Sequence, residues 1–438
     1  MHLIPYLNFL IKKIDNKIML KSTSDNCLNQ PQPTVFKKLI GPIDEFVANQ
    51  NEKLVKHHNQ KYEYYDFFIF LIYYFVSGAK SIKLLINTLL NKGLLPNELN
   101  LRQVPYSTFS DAFERFSPNL FRDVFQHLIK DLHFKEIPEL MVLGTLYCID
   151  GSLFPVISSM SWADYTSTHK SVKLHLCYEL NRMIAVNFLV TAGNYNERKA
   201  LLKMLVEGVT YIADRGYGAF YVYHAIIQAK AHFIIRIKTN LLFIKQESLK
   251  VQLPVSVQHI FREAKDELIR FDNDKHSHVY RLVQFVIGSE SFYILTDRKD
   301  LTTFQIIMLY AYRWQIELMF RFLKRTINGI HVIKHSQQGI TIQFYMMLIV
   351  SLLELHLKQE TMDIVSAKST DKQEKNTTDN PISANVEENL TSSCQEFIEI
   401  LGKNVNKYWK IGISWLTVLR NRLSSPFDEI AIEVLGNT

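Results

Sequence analysis

Val209–Lys238 reads VTYIADRGYGAFYVYHAIIQAKAHFIIRIK, and its hydrophobic pattern decides the fold class. Val209–Ala213 is a short apolar run stopped by the turn-rich cluster Asp214-Arg215-Gly216-Tyr217-Gly218. Ala219–Lys230 then takes helical spacing, and His232–Lys238 returns to strand-like text. Upstream, the texture changes at Glu139. Leu140–Ile149 reads as a strand closing on Asp150-Gly151-Ser152, and Val172–Leu180 and Met183–Val190 read as a hairpin turning at Asn181-Arg182. Asn196–Val206 reads as a helix. A strand meander followed by alternating strands and helices predicts an α/β protein, a mixed sheet covered by helices.

Working outward, residues 239–289 have poor periodicity, with strand candidates at Leu241–Ile244 and His278–Ile287. They read as a β-rich insertion before the strand Ser291–Thr296. Residues 1–40 read as irregular and 41–135 as a helical domain. In the latter, Tyr64–Leu90 is interrupted at Gly78. One helix follows Pro105, capped by Ser107 or Thr108, and another follows Pro118. Such a domain serves either DNA binding or packing, and the sequence leaves both open. Segments 139–238 and 290–357 form the expected core, with a helix over His335–Lys358. A polar linker is expected over 359–393 and a helical segment over 394–438.

Composition narrows the functional classes. Of 438 residues, 47% are hydrophobic and 12% aromatic, enough for a sizeable core. A net charge of +7 suits a polyanionic partner without demanding one. The four cysteines form no CxxC pair, which argues against a zinc or disulfide framework and for a reducing cytoplasm. No basic-then-apolar signal pattern opens the chain. The apolar runs Phe67–Val76 and Phe344–Leu353 are about ten residues each, shorter than a membrane span, so core helices in a protein without a membrane role are expected.

Chemistry gathers around a second stretch, Tyr310–Lys324, YAYRWQIELMFRFLK. Read as one helix, it brings Tyr310, Arg313, Glu317 and Lys324 within an arc of roughly 60°. Its apolar residues gather on another flank. Asp150 and Asp214 each close a strand, where α/β sites collect. Three carboxylates without a His or Cys cluster suit Mg²⁺, or Mn²⁺ in its place. Two such ions ~4 Å apart serve in-line attack on a phosphodiester. Arg313 and Lys324 would then grip phosphates, with the Tyr310 hydroxyl adding a hydrogen bond. Plainer roles suffice elsewhere: Trp314 and Cys148 as core, His175 as a half-buried strand residue, Arg321 as an exposed charge, and Glu197 with no role. Lys170 and Lys173 either touch DNA or simply solvate an edge.

Tyr310, Arg313, Glu317 and Lys324 match, spacing for spacing, the Tyr-Arg-Glu-Lys signature of the insertion-sequence-four family of bacterial transposases. IADRGYG and YCIDGSLF resemble the segments that carry that family's two aspartates, and the likeness covers about Ser107–Leu357. The resemblance implies a ribonuclease-H-like core with a β-strand insertion before the Glu-bearing helix. It implies Asp150, Asp214 and Glu317 as the metal-binding catalytic triad, holding two Mg²⁺ ions. It further implies cut-and-paste transposition in the bacterial cytoplasm, at the nucleoid, on double-stranded DNA. The substrates would be terminal inverted repeats and target DNA, bound by a synaptic homodimer.

Overall fold

The computed structural model describes residues 33–55, 62–77, 81–92, 102, 105–166, 169–255, 258, 261–287, 290–325 and 332–374. Among the described residues two compact units divide the chain, 33–204 with 315–374, and 205–314. The expected C-terminal helical segment 394–438 and most of the N-terminal segment 1–40 lie outside the described residues.

In the first unit, the chain's front is helical. The helix Pro33–Lys53 begins inside the segment expected to be irregular and carries Pro42 in its interior. Phe36, Leu39, Ile40, Ile43 and Val47 are buried, and that apolar stripe overrides the Gly41-Pro42 breaker. Tyr64–Ser77 and Ile82–Lys92 are separate helices, as the Gly78 interruption suggests. Tyr106–Arg115 is capped at Pro105 without a side-chain bond, so neither Ser107 nor Thr108 is the cap. Pro118–Asp131 follows the helix-start rules closely, since the Ser117 side chain accepts from the Asn119 N–H and Pro118 opens the first turn. Its buried Phe121, Val124, Phe125 and Leu128 have helical spacing. They join a cluster in which Phe67 meets Phe113 edge-on at 4.9 Å and Phe68 stacks on Phe121 at 5.5 Å.

A long helix, Gln337–Glu374, lines this cluster. It runs through the first sixteen or so residues of the expected linker; the remainder of that linker lies outside the described residues. The Gln338 amide donates to the carbonyls of Phe113 and Glu114, both at 2.9 Å, satisfying the open end of Tyr106–Arg115. Tyr345 packs on Phe188 at 4.5 Å and Phe344 on Phe154 at 4.9 Å. By length and composition Gln337–Glu360 could cross a membrane, so the apolar stretch is longer than the sequence suggested. However, 72% of its apolar window is buried inside the protein, as in a core helix.

The same unit holds three antiparallel strands: β1 (Thr145–Pro155), β2 (Ser171–Glu179) and β3 (Ile184–Ala192). The strand expected at Leu140–Ile149 starts later and runs further. Pro138 opens a one-turn helix to Met141, Gly144 turns the chain at φ +87, and β1 then continues past Asp150 to Pro155. Locally Asp-Gly-Ser is turn text, but pairing with Ser171–His175 carries the strand onward. The β2–β3 connection is a four-residue turn, Leu180–Met183, with Met183 at φ 55. Within it the buried Asn181 side chain accepts from the Leu146 N–H and donates to the Leu140 and Gly144 carbonyls. The helix after β3 is short, Glu197–Leu202, capped by Asn196.

The second unit contains β4 (Val209–Ala213), the helix Phe220–Gln228 and β5 (His232–Arg236), with β4 and β5 parallel. Its sheet continues antiparallel through β9 (Glu290–Thr296), β8 (Tyr280–Ile287), β7 (Arg262–Arg270) and β6 (Ile244–Ser248), in the order β4-β5-β9-β8-β7-β6. An antiparallel meander followed by a parallel βαβ pair is the ribonuclease-H-like element order, with β6–β8 as the β-rich insertion. β7 has no counterpart among the strands read from sequence, and β6 lies just after the candidate Leu241–Ile244. The reason is visible in the packing. Two of the three buried positions of β7 are Asp266 and Glu267, 2% and 9% exposed, beside a single apolar one, Ile269. Asp266 takes a two-pronged bond from Arg281 (2.8 and 2.6 Å) and a third from the Thr303 hydroxyl (2.6 Å). Thr303 is the first residue of the helix Thr303–Tyr312, whose capping box pairs Thr302 with Gln305.

Candidate active site

The expected polar helix Tyr310–Lys324 is divided in two. Tyr310 ends Thr303–Tyr312, Arg313 stands between, and Glu317 and Lys324 belong to Trp314–Arg325. Arg313 keeps helical dihedrals (φ −51, ψ −31), but its N–H closes on Tyr310 and Ala311 carbonyls, tighter than α-helical pairing. Tyr310 is not on an open stripe. It is 6% exposed, and its phenol lies against the guanidinium groups of Arg236 and Arg313. Burial pushes its pKa up, and the two arginines oppose that shift. Arg236, at the end of β5, also sits 4.4 Å over the Phe292 ring. Sequence reasoning gave it no role; the basic residue within HFIIRIK was its only signal.

Asp150 lies in the middle of β1, half-buried, with Oδ1 accepting from the Gly151 N–H at 2.7 Å. Strand alternation puts Cys148, Asp150, Ser152 and Phe154 on one face and Ile149, Gly151 and Leu153 on the other. Lys324 rests on the Asp150 face, its ammonium 4.9 Å from the centre of the Phe154 ring. Burial lowers its pKa. Glu317 stands on the same helix two turns before Lys324, about 10 Å along the axis. Within the first unit, therefore, the helix bearing Glu317 and Lys324 meets the face that carries Asp150. Arg321 on this helix is half-buried, not fully exposed, and Trp314 at its start is also half-buried.

Asp214 belongs to the second unit. It follows the fully buried β4 and caps the 3-10 turn Arg215–Tyr217, accepting from the Gly216 N–H at 2.7 Å. Gly218 ends that turn tightly, because a side chain there would meet the Tyr223 hydroxyl at 3.1 Å.

The reverse face of β1 holds a different group. In register, Gly151 stands opposite His175. Lys173 reaches Glu197 at 3.1 Å, and a Cβ at position 151 would lie 3.2 Å from the Glu197 carboxylate. Glycine beside Asp150 thus makes room for an ion pair behind the strand, a role for Glu197 that only the register exposes. His175 faces this side, away from Asp150, and is fully buried instead of half-buried. Its Nε2 is 2.9 Å from the Thr191 hydroxyl. Lys170 pairs with Asp164 at an exposed edge, and Cys148 is a buried core residue.

His175 makes the fold acid-sensitive. Burial first, then Lys173, pushes its pKa from 6.5 down to about 4. Between those values an unfolded chain takes up a proton that the folded one refuses. Stability is therefore expected to fall as pH drops from 6.5 to 4, by about 3 kcal/mol at most from this group. The urea midpoint of His175→Leu should depend less on pH across that window than the wild type's. An identical pH slope in both proteins would remove His175 as the cause.

Among the described residues, no three His, Cys, Asp or Glu side chains are placed to hold a metal ion. The donor chemistry of Asp150, Asp214 and Glu317, oxygen throughout, nonetheless fits a hard divalent cation.

The chain is similar to known proteins over its central part. Residues 143–353 match the transposase DDE domain family. The chain is 27% identical over 230 residues to the putative transposase y4zB of Sinorhizobium fredii, spanning 50% of this chain and 64% of that protein. It is 25% identical over 265 residues to the putative transposase for insertion sequence element IS4SA of Synechocystis sp., spanning 58% of this chain and 73% of that protein. Among solved structures, an endonuclease V from Bacillus subtilis matches 45% of this chain and 84% of its own at 14% identity. The TM-score of that match is 0.23. The DDE family match starts two residues before β1 and ends within the long helix, so it takes in all three carboxylates and the helix pair that follows β9. Over residues 143–353 the chain is thus similar to the transposase DDE domain.

Proposed function

We propose that this chain is a cut-and-paste DNA transposase of the insertion-sequence-four type. It cleaves double-stranded DNA at terminal inverted repeats and joins the freed ends to target DNA. Transposases act on DNA, and DDE enzymes generally use divalent metals. The observation that best supports the reading is the meeting, in one unit, of the Asp150 face with the helix carrying Glu317 and Lys324. Asp150, Asp214 and Glu317 would hold two Mg²⁺ ions, with Mn²⁺ able to substitute. Bound there, the ions would supply activation of water or a 3′-hydroxyl and charge relief at the leaving oxygen.

The chain's own side chains do the remaining work. Lys324, held over Phe154, offers a point charge to a phosphate beside the scissile bond. Arg313 offers a fork to another phosphate. Tyr310, buried against Arg236 and Arg313, contributes by fixing the direction of that fork more than by touching DNA itself. Pairing of two copies on two element ends would give the synaptic homodimer. The helices before residue 135 pack against the long helix, which favours a packing role for them over a separate DNA-binding head.

The test uses the purified chain, Mg²⁺ and duplex DNA carrying the inverted repeats that flank its gene. The expected result is a nick at the repeat boundary followed by strand-joined products. Cutting without joining would replace the proposal with a two-metal nuclease. DNA binding without cutting, in Mg²⁺ and in Mn²⁺, would replace it with a non-catalytic DNA-binding derivative.

A further inference from the structure

Three histidines of the second unit crowd together. His224 is on the helix Phe220–Gln228, and His276 and His278 are on the loop between β7 and β8. The ring centres of His224 and His276 are 4.0 Å apart, those of His224 and His278 5.2 Å, and those of His276 and His278 5.8 Å. Imidazoles sharing one tetrahedral ion, with metal–nitrogen distances of about 2.1 Å, hold their centroids roughly 5 Å apart. Beneath the rings lies Asp274, 3% exposed. Its carboxylate accepts from the His276 N–H (3.1 Å), the His278 N–H (3.3 Å) and the Tyr280 hydroxyl (2.9 Å), which fixes the loop under the helix.

His224 supplies the second observation. Its Nε2 is buried and 2.8 Å from Asp274 Oδ1, yet it makes no aligned hydrogen bond. A buried ring nitrogen left off-line beside a carboxylate and two further imidazoles is a poor arrangement for structure alone. It is resolved if the ring turns so that one nitrogen faces the carboxylate and the other an ion, the carboxylate–histidine–metal relay.

We propose that His224, His276 and His278 form a binding site for a divalent transition ion of the Zn²⁺ class, with Asp274 orienting His224. Nitrogen donors select this class over Mg²⁺. As the side chains stand, no three donors converge on a point, so the site closes by side-chain rotation. His276 is exposed and His278 half-exposed, so both rings have solvent on one side into which to turn. Binding would tie the β7–β8 loop to the helix after Asp214 and would stabilise the folded unit by mass action.

The experiment uses the full chain stripped of metal at pH 7.5 and titrated with Zn²⁺, and with Co²⁺ as a spectroscopic probe. One equivalent is expected to bind, raising Tm, with a visible Co²⁺ band of tetrahedral nitrogen coordination. The variant carrying His276→Ala and His278→Ala should lose that equivalent and the Tm shift, while its metal-free Tm stays near wild type. The variant carrying Asp214→Asn and Glu317→Gln should keep both. No Zn²⁺ bound, or equal binding by the His276/His278 variant, overturns the proposal. So does loss of binding in the Asp214/Glu317 variant, since the ion would then sit on the carboxylates.

Discussion

Alanine at Asp150, Asp214 or Glu317 is expected to reduce strand cleavage by roughly 10³-fold or more while leaving DNA affinity within a few-fold of wild type. The size follows from what a lost ligand removes. Lewis-acid stabilisation in such sites is worth several kcal/mol, and each 1.36 kcal/mol is about tenfold in rate. Affinity is spared because it comes from cations on phosphates, and the chain keeps its net positive charge. Removing a carboxylate raises that charge by one. Gel-shift and nicking assays on the same end-DNA separate the two quantities. Cleavage that survives all three changes would sink the triad. Affinity lost together with cleavage would point instead to a folding defect, which circular dichroism of Asp150→Ala would reveal. Asn at 150 is the gentler replacement, since it can still accept the Gly151 N–H.

The second large effect concerns stability. Asp266→Ala should destabilise the protein by about 3–5 kcal/mol, because it leaves Arg281, 4% exposed, as a buried charge without its carboxylate. Total stabilities of folded domains are about 5–15 kcal/mol, so the variant would unfold well below the wild-type urea midpoint. The cost is not the worth of the ion pair. Replacing both residues, Asp266→Leu with Arg281→Met, should recover most of the loss. The Arg281 guanidinium also donates to the Leu301 carbonyl at 2.6 Å, and Asp266 accepts from Thr303. The pair thus pins the entry of the helix Thr303–Tyr312 to β7 and β8. A double variant no more stable than Asp266→Ala would show that these backbone and hydroxyl bonds, not charge burial, set the penalty.

What was legible in the sequence follows from where apolar residues do the folding. β2 to β5, β8 and β9 could be read because most of their buried positions are apolar. β7 could not, because two of its three buried residues are Asp266 and Glu267 and their partners lie more than a dozen residues away in sequence. The end of β1 was misplaced for a related reason: Asp-Gly-Ser is turn chemistry locally, and the partner strand that overrules it is remote. The break at Arg313 leaves no compositional trace, since that residue keeps helical dihedrals. Among the candidate residues, the carboxylates and cations stand out by type and spacing. The contacts of Arg236 with Tyr310 and of Glu197 with Lys173 do not, since each pair is remote in sequence.

Asp150's place inside β1, instead of at its end, bears on how that carboxylate moves. Pairing with β2 continues five residues beyond it, to Pro155 opposite Ser171. Its backbone therefore belongs to a ladder that opens only when the meander itself comes apart. Amide exchange around Cys148–Ser152 should accordingly require sub-global opening, in contrast to the turn at Asp214–Gly218, which fraying alone can expose. Of the two aspartates, one is a fixed post and the other rides on a short turn. Adjustment to an incoming DNA backbone would then fall to the Asp214 side, on the fast timescale of loops.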